Sequence, residues 1–366
     1  MIRAGFVNAH THLYSALAPL GMPAPERPPA SFVEILGAVW WRLDLALDAN
    51  SLRAAARLYV AEALLRGTTG LVDHHESPAF IEGSLDVLGD ACRELGMRAV
   101  LGYGASERNG GREEARRGLA ECRRFSLAAT DPLVRGVVAL HASFTVSDDT
   151  VREAGELARE LGTVVHVHMA EDQADVRDAH DRGFEGPLQR LLTLEALPPG
   201  SILAHGVWLT DAEVRLAAER GLWLVQNPRS NENNRVGYAR ALAESDRVAL
   251  GTDGFVADMR EELVHLWRIA RANGDPAGDL ALDDRLEASR TLLAERFPPG
   301  ALDADVVQLD NARPGERPRV HNVTVAGRVV VEDGVLVSGD MEAIRAGARE
   351  AAPALWKRME AVAWPG

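Results

Sequence analysis

Eight short apolar runs, rich in β-branched residues, recur within the first 253 residues, and their spacing constrains the fold more than any other feature of the chain. They are "AGFVNAH" (4–10), "TGLVDH" (69–74), "RAVLGYG" (98–104), "VRGVVALH" (134–141), "TVVHVHM" (163–169), "SILAH" (201–205), "GLWLVQN" (221–227) and "RVALGTD" (247–253). Helical patterns separate them, among them residues 51–67, 83–96, 112–125 and 148–162, and several open on a Ser or Asp cap and stop at Gly. Strands this apolar are buried on both faces, and helical crossovers join parallel neighbours. Eight such units in about 250 residues have the size of a (β/α)8 barrel. The competing arrangement, an open doubly wound sheet, lacks its usual mark, because no Gly-rich nucleotide loop follows any run.

Two segments break the alternation. Residues 18–50 insert a proline-rich turn and "SFVEILGAVWWRLDLAL" after the first strand, which is long for a βα loop and falls at the functional end of a barrel. After residue 300 the pattern becomes "ADVVQLD" and "HNVTVAGRVVVEDGVLV", β-like runs with turns at "AG" and "DG". The expected organisation is a barrel over 1–300, a small β-appendage over 301–340 and a closing helical segment over 341–366. Met1 lies almost at the first strand, and the family resemblance given below implies earlier strands that complete such an appendage, so the appendage is expected to be half built, with unpaired edges. A second copy of the chain could cover them, which makes a homo-oligomer, most simply a dimer, the expectation.

Composition narrows the chemistry. A net charge of −14 argues against a nucleic-acid partner, since no basic surface survives that balance. No apolar run approaches the roughly 20 residues of a membrane span. No basic segment with an apolar core marks a secretion signal, and Cys92 and Cys122 form no CxxC pair, so both read as reduced thiols of a cytoplasmic protein. The chain has a single lysine, Lys357, which removes Schiff-base chemistry and lysine general bases from any site upstream.

The histidines are placed less evenly. His10 ends the first run with His12 two residues beyond, His141 ends the fourth, His168 lies at the end of the fifth and His205 of the sixth, and Asp253 ends the eighth. In a barrel those strand ends meet at one mouth. His-x-His puts two imidazoles on one face of a strand. Two neutral nitrogens aimed at one point suit Zn²⁺ or Fe²⁺, and His168 could add a third nitrogen and Asp253 an oxygen. His-x-His alone is a weak signal; its agreement with further His and Asp residues at later strand ends is a much stronger one. Glu171 stands three residues past His168, where a carboxylate can lie beside an ion and pass protons between water and substrate. The plain alternative is a solvated loop glutamate, since Asp172 follows it.

The motifs "GFVNAHTH", "HVHMAED", "ILAHGV", "QNPRSN" and "LGTDG", in that order, resemble the amidohydrolase superfamily. The closest branch is the one holding guanine, cytosine and S-adenosylhomocysteine deaminases and triazine chlorohydrolases; "FVEILGAVWWRLDLAL" and "DHHES" are similar to a subgroup of aminohydrolases and chlorohydrolases within it. The resemblance covers nearly the whole chain. It implies one divalent ion, zinc or iron, held by His10, His12, His168 and Asp253. It further implies Glu171 as proton shuttle, His205 beside the attacking water, Asp253 as a base toward that water, and His141 on the substrate. The expected reaction is hydrolytic deamination of a planar N-heterocycle such as a purine, pterin or triazine. Loss of chloride, hydrolysis of an amide, or a catalytically silent ligand-binding barrel are the alternatives. Two-metal members of the superfamily use a carboxylated lysine on strand 4, which reads "VVALHAS" here, so a one-metal site is expected. Trp40 and Trp208 are candidates to stack on the heterocycle and Asn227 to hydrogen-bond it, while Trp41 and His166 read as packing residues.

Overall fold

The computed structural model describes residues 1–311 and 318–363; residues 312–317 of the expected appendage and 364–366 of the expected closing segment lie outside that range. In chain order the strands are β1 (Ile2–Ala4), β2 (Phe6–Thr11), β3 (Thr68–His75), β4 (Arg98–Ala105), β5 (Val134–Gly136), β6 (Val138–Ala142), β7 (Val165–Met169), β8 (Ile202–His205), β9 (Trp223–Gln226) and β10 (Val248–Leu250), followed by β11 (Val306–Leu309), β12 (Val320–Val325), β13 (Arg328–Glu332) and β14 (Val335–Leu336). From β2 to β10 each stave pairs in parallel with the next. The run at 134–141 is one stave broken at Val137 into β5 and β6, both laid on β4. Closure comes at Thr11 and Asp253, which form a parallel bridge. There the amides of Thr252 and Asp253 both donate to the His10 carbonyl at 3.0 Å. Helices cover the outside, so the chain is a (β/α)8 barrel with an antiparallel appendage.

The strand period explains what fills the lumen. Val7, Val72, Val100, Val137, Ile202 and Val225 belong to one buried cluster with Val164 and Ala249, one residue from each stave. Two residues further along β3 and β7 stand His74 and His166, and two more bring Glu76 and His168, so the apolar floor turns polar towards the C-terminal mouth. On β2, Val7 and Ala9 belong to the floor, and a register irregularity between Asn8 and Thr11 re-aims the strand so that His10 and His12 also enter the lumen.

The appendage is more complete than expected. The first run does not start in the barrel: the chain breaks at Gly5, where a Cβ would lie 2.2 Å from Thr69 Oγ1, and β1 leaves to pair antiparallel with β11. The sheet order is β1-β11-β12-β13-β14. Three residues of strand before a glycine are too short to read as a separate element. A buried ion pair ties appendage to barrel: Arg98 of β4 donates to both oxygens of Asp305 at 2.6 and 3.0 Å. The long helix Met341–Ala361 packs on the helix Ala49–Leu65 and on the insertion after β2, where Trp356 Nε1 donates to Leu20 O at 3.0 Å. Among the described residues no helix is long and apolar enough to cross a membrane.

Candidate active site

Strand ends supply the site, and the backbone bends sharply to aim them. His205 (φ 76°), Asp253 (φ 53°) and Ala170 (φ 48°) are all left-handed, a conformation that costs a residue with a side chain about 1–3 kcal/mol and persists only where its surroundings enforce it. His205 ends β8, Asp253 lies just past β10, and Ala170 separates His168 from Glu171. They bring His10, His12, His168, Glu171, His205 and Asp253 together at the mouth.

His12 Nδ1 donates to the His74 carbonyl at 2.5 Å, and His168 Nδ1 to the His141 carbonyl at 2.6 Å. A carbonyl only accepts, so in the neutral rings both protons sit on Nδ1 and both Nε2 atoms carry lone pairs. Those two Nε2 atoms lie 3.3 Å apart. His10 completes the set, the three rings each offering a nitrogen within 4.8 Å of the others. Asp253 Oδ1 is 2.9 Å from His12 Nε2 and 3.7 Å from His10 Nε2. Lone pairs converging in a buried place repel one another unless a proton or a cation stands between them. His10 Nε2 and His205 Nε2 are also buried without a hydrogen-bond partner. The donor set therefore fits a divalent cation bound by imidazole and carboxylate. Burial first, and then the neighbouring imidazoles, hold His10 and His168 well below the ordinary imidazole range, as neutral donors. Burial lowers His12 as well, but the Asp253 carboxylate outweighs it and raises the ring to about 10, so proton and cation compete for one nitrogen.

Glu171 stands beside this cluster. Its Oε2 is 3.5 Å from His205 Nε2, and its Oε1 accepts from Asn234 Nδ2 at 3.3 Å. Burial pushes its carboxyl up to about 7, against the pull of His205. His205 Nδ1 donates to Asn231 Oδ1 at 2.8 Å, which leaves Nε2 as an acceptor facing Glu171. Ser230 Oγ donates to Asp253 Oδ2. Ser230, Asn231 and Asn234 come from the helix Pro228–Asn233 and the residue after it. Ser230 and Asn231 belong to the motif "QNPRSN", in which only Asn227 is expected to act, and Asn234 lies beyond it. Spacing held a signal, because i and i+4 share a helix face.

The cavity over the cluster has walls from Trp40, Trp41, His141, Phe144 and Asp253 and encloses about 670 Å³ with its open mouth. Trp40 thus lines the site as expected, and His141 does too, with its Nδ1 3.0 Å from Thr145 Oγ1. Trp41, expected to be packing alone, also lines it, 5.1 Å beneath the Arg108 guanidinium. Two expected contacts are not there. Trp208 is 40% exposed with its indole N–H bonded to Val236 O at 3.0 Å, because the chain turns outward after the left-handed His205. Asn227 is buried below the mouth, packed against Gly251 where a Cβ would lie 2.5 Å from its Oδ1. His166, expected in the core, is there but works for the site: its Nε2 is 2.9 Å from His10 Nδ1, which fixes that ring. His74 and Glu76 pair at 2.7 Å below His12, an arrangement that no sequence spacing announces.

Known proteins are similar to this chain in sequence and in fold. A 5'-deoxyadenosine deaminase of Methanopyrus kandleri is 28% identical over 97% of this chain and 86% of its own length. A 5-methylthioadenosine/S-adenosylhomocysteine deaminase of Thermococcus sibiricus is 30% identical over 87% of this chain and 76% of its own. The crystal structure of an adenosine deaminase from Xanthomonas campestris with bound zinc superposes with a TM-score of 0.82 at 26% identity, covering 99% of this chain and 86% of that one. The amidohydrolase family model matches residues 1–289, and with it the barrel and every strand end described above: this chain belongs to the amidohydrolase family.

Proposed function

We propose that this chain is a divalent-metal-dependent hydrolase that removes ammonia from a planar nitrogen heterocycle, with an adenosine-derived purine as the first class to test. The observation that carries the reading is the convergence of imidazole lone pairs from His12 and His168, 3.3 Å apart, beside a buried carboxyl at Glu171. His10, His12, His168 and Asp253 are the residues to hold the ion. Three imidazoles and a carboxylate suit zinc and iron(II) alike, and the zinc bound to the Xanthomonas enzyme favours zinc. Such an ion supplies Lewis acidity and brings the pKa of a water on it towards neutrality.

The side chains divide the remaining work. Glu171, held by Asn234 beside His205, would take a proton from the water and give it to a ring nitrogen of the heterocycle. His205 presents an acceptor nitrogen because Asn231 holds its proton on the far side, and so orients the attacking water. Asp253 is kept in place by Ser230 and assists as a base. Trp40 and His141 wall the heterocycle. The names of the deaminase relatives support a nucleoside carrying adenine.

The test is a screen of the zinc-loaded protein for ammonia release from adenosine, 5'-deoxyadenosine and related aminopurines, with chloride release from a chlorotriazine as the contrasting arm. Ammonia from the aminopurines supports the reading. Chloride without ammonia assigns dechlorination, and neither product from a metal-loaded protein overturns catalysis of this kind.

A further inference from the structure

A second cavity opens beside the first and is larger, about 1530 Å³ with its mouth. Trp40 stands between them: a Cβ on Gly254 would lie 3.5 Å from Trp40 Cη2, so indole and backbone are in contact and leave no passage there. The second cavity is bounded by the turn after β2, the helix Ala49–Leu65, the loop after β10 and the helix Met341–Ala361. Leu20, Met22, Leu58, Phe255 and Ala348 give it a wall of carbon. The polar groups at its inner end are already engaged. Tyr59 Oη bonds to Thr252 Oγ1 and to the Phe255 carbonyl, Ser15 Oγ to the carbonyls of His12 and Gly254, and Ser230 Oγ to Asp253. The interior thus offers carbon and almost no free hydrogen bond, the surface that an apolar chain recognises.

The rim is basic. Arg66, which caps the C-terminal end of the helix Ala49–Leu65, lines it together with Arg345 and Arg349, while Glu62 is the one acid of the rim. Glu62 is shared: it bonds to Arg66 and lies 3.1 Å from Arg345 Nη2. Arg345 also meets the exposed Glu342 at 3.3 Å, and Arg66 meets Asp258 at 3.9 Å. Arg349 meets no acid among the described residues, and it stands four residues from Arg345 on one helix, where like charges repel. An uncompensated guanidinium therefore stands at the mouth of a carbon-walled chamber.

We infer that this chamber is a second binding site, for an aliphatic monocarboxylate whose chain lies against Leu20, Met22, Leu58 and Phe255 and whose carboxylate meets Arg349 at the rim. One unpaired guanidinium matches one negative charge, and its planar fork matches a carboxylate. The inference stands apart from the heterocycle reading, and either can fail without the other.

The experiment titrates straight-chain carboxylates from butyrate to decanoate into the full-length, zinc-loaded protein by calorimetry, below their micelle concentrations. Decylammonium and decyl phosphate are the contrasting head groups. Each methylene added should tighten binding by about two- to fourfold until the chamber is full. Decanoate should bind about tenfold or more tighter than decylammonium, and no weaker than decyl phosphate. Arg349→Glu, on the exposed side of its helix, should weaken decanoate by about tenfold or more and tighten decylammonium. Val256→Trp, at a position 38% exposed on the chamber wall, should weaken decanoate more than butyrate. A series that is flat with chain length overturns the inference, as does decylammonium binding as tightly as decanoate. Tighter binding of decyl phosphate overturns the assignment to a monocarboxylate. Decanoate affinity that either variant leaves unchanged also overturns it, since a carboxylate bound at the zinc ion would behave in that way. Where charge reversal disturbs the helix, Arg349→Gln gives the same reading with the decylammonium affinity unchanged.

Discussion

Replacing Glu171 with glutamine separates proton transfer from everything else the residue does. The carboxylate accepts from Asn234 Nδ2 through Oε1 and faces the acceptor Nε2 of His205 at 3.5 Å through Oε2. A glutamine fits both contacts, its carbonyl accepting from Asn234 and its amide N–H pointing at His205. Folding and ion binding should therefore be unchanged. What the amide cannot do is gain and lose a proton. Proton transfer of this kind contributes about 10²–10⁴-fold, or about 2.7–5.4 kcal/mol of barrier, so turnover should fall by that factor. The pH profile adds an independent readout. Burial raises the carboxyl to about 7, so the ionised form that accepts a proton is half populated there and falls about tenfold per pH unit below it, and wild-type kcat/KM should decline as pH falls below about 7. That acid limb should be missing from the residual activity of the variant. The assay is steady-state ammonia release across pH, with metal content measured on the same samples. A variant within tenfold of wild type with its ion in place would refute the role of Glu171.

Three further outcomes follow from the geometry. Asn231→Leu removes the acceptor that keeps the His205 proton on Nδ1 and should lower kcat/KM by about 10- to 100-fold with the metal retained, as read by kinetics and elemental analysis. Ion binding must displace the proton that Asp253 draws onto His12, a ring raised to about 10, so between pH 7 and 9 zinc uptake by the apoprotein should release about one proton from this ring per ion and apparent affinity should rise with pH, as titration calorimetry in buffers of different ionisation enthalpy will read. Arg98→Met strands the Asp305 carboxylate, itself 1% exposed, and should cost about 3–5 kcal/mol in reversible urea unfolding of the metal-loaded protein.

The fold was legible because barrel staves announce themselves locally: each is a short apolar run, and the crossover rule orders them without further information. The lumen residues were legible for the same reason, since a period of two carries Val164 to His166 and His168. The role of His166 was not, because a buried histidine reads alike whether it supports a ligand or fills a core; only its 2.9 Å approach to His10 distinguishes them. Trp208 and Asn227 misled because both lie next to strand ends, where a one-residue change of backbone hand decides whether a side chain enters the mouth. The left-handed turn at His205 sends Trp208 outward, and nothing in "ILAHGVW" fixes that hand except the glycine after it. Ser230, Asn231 and Asn234 act through a helix that starts at Pro228, so their convergence on His205, Asp253 and Glu171 is tertiary and leaves only its i, i+4 spacing in the chain.

The most direct measurement is anomalous diffraction at the zinc absorption edge from crystals of the zinc-loaded protein. One ion should lie within about 2.0–2.2 Å of Nε2 of His10, His12 and His168 and of a carboxylate oxygen of Asp253. An ion bound elsewhere, or none at that point in crystals of a preparation that still releases ammonia after exhaustive chelation, would contradict this ligand set.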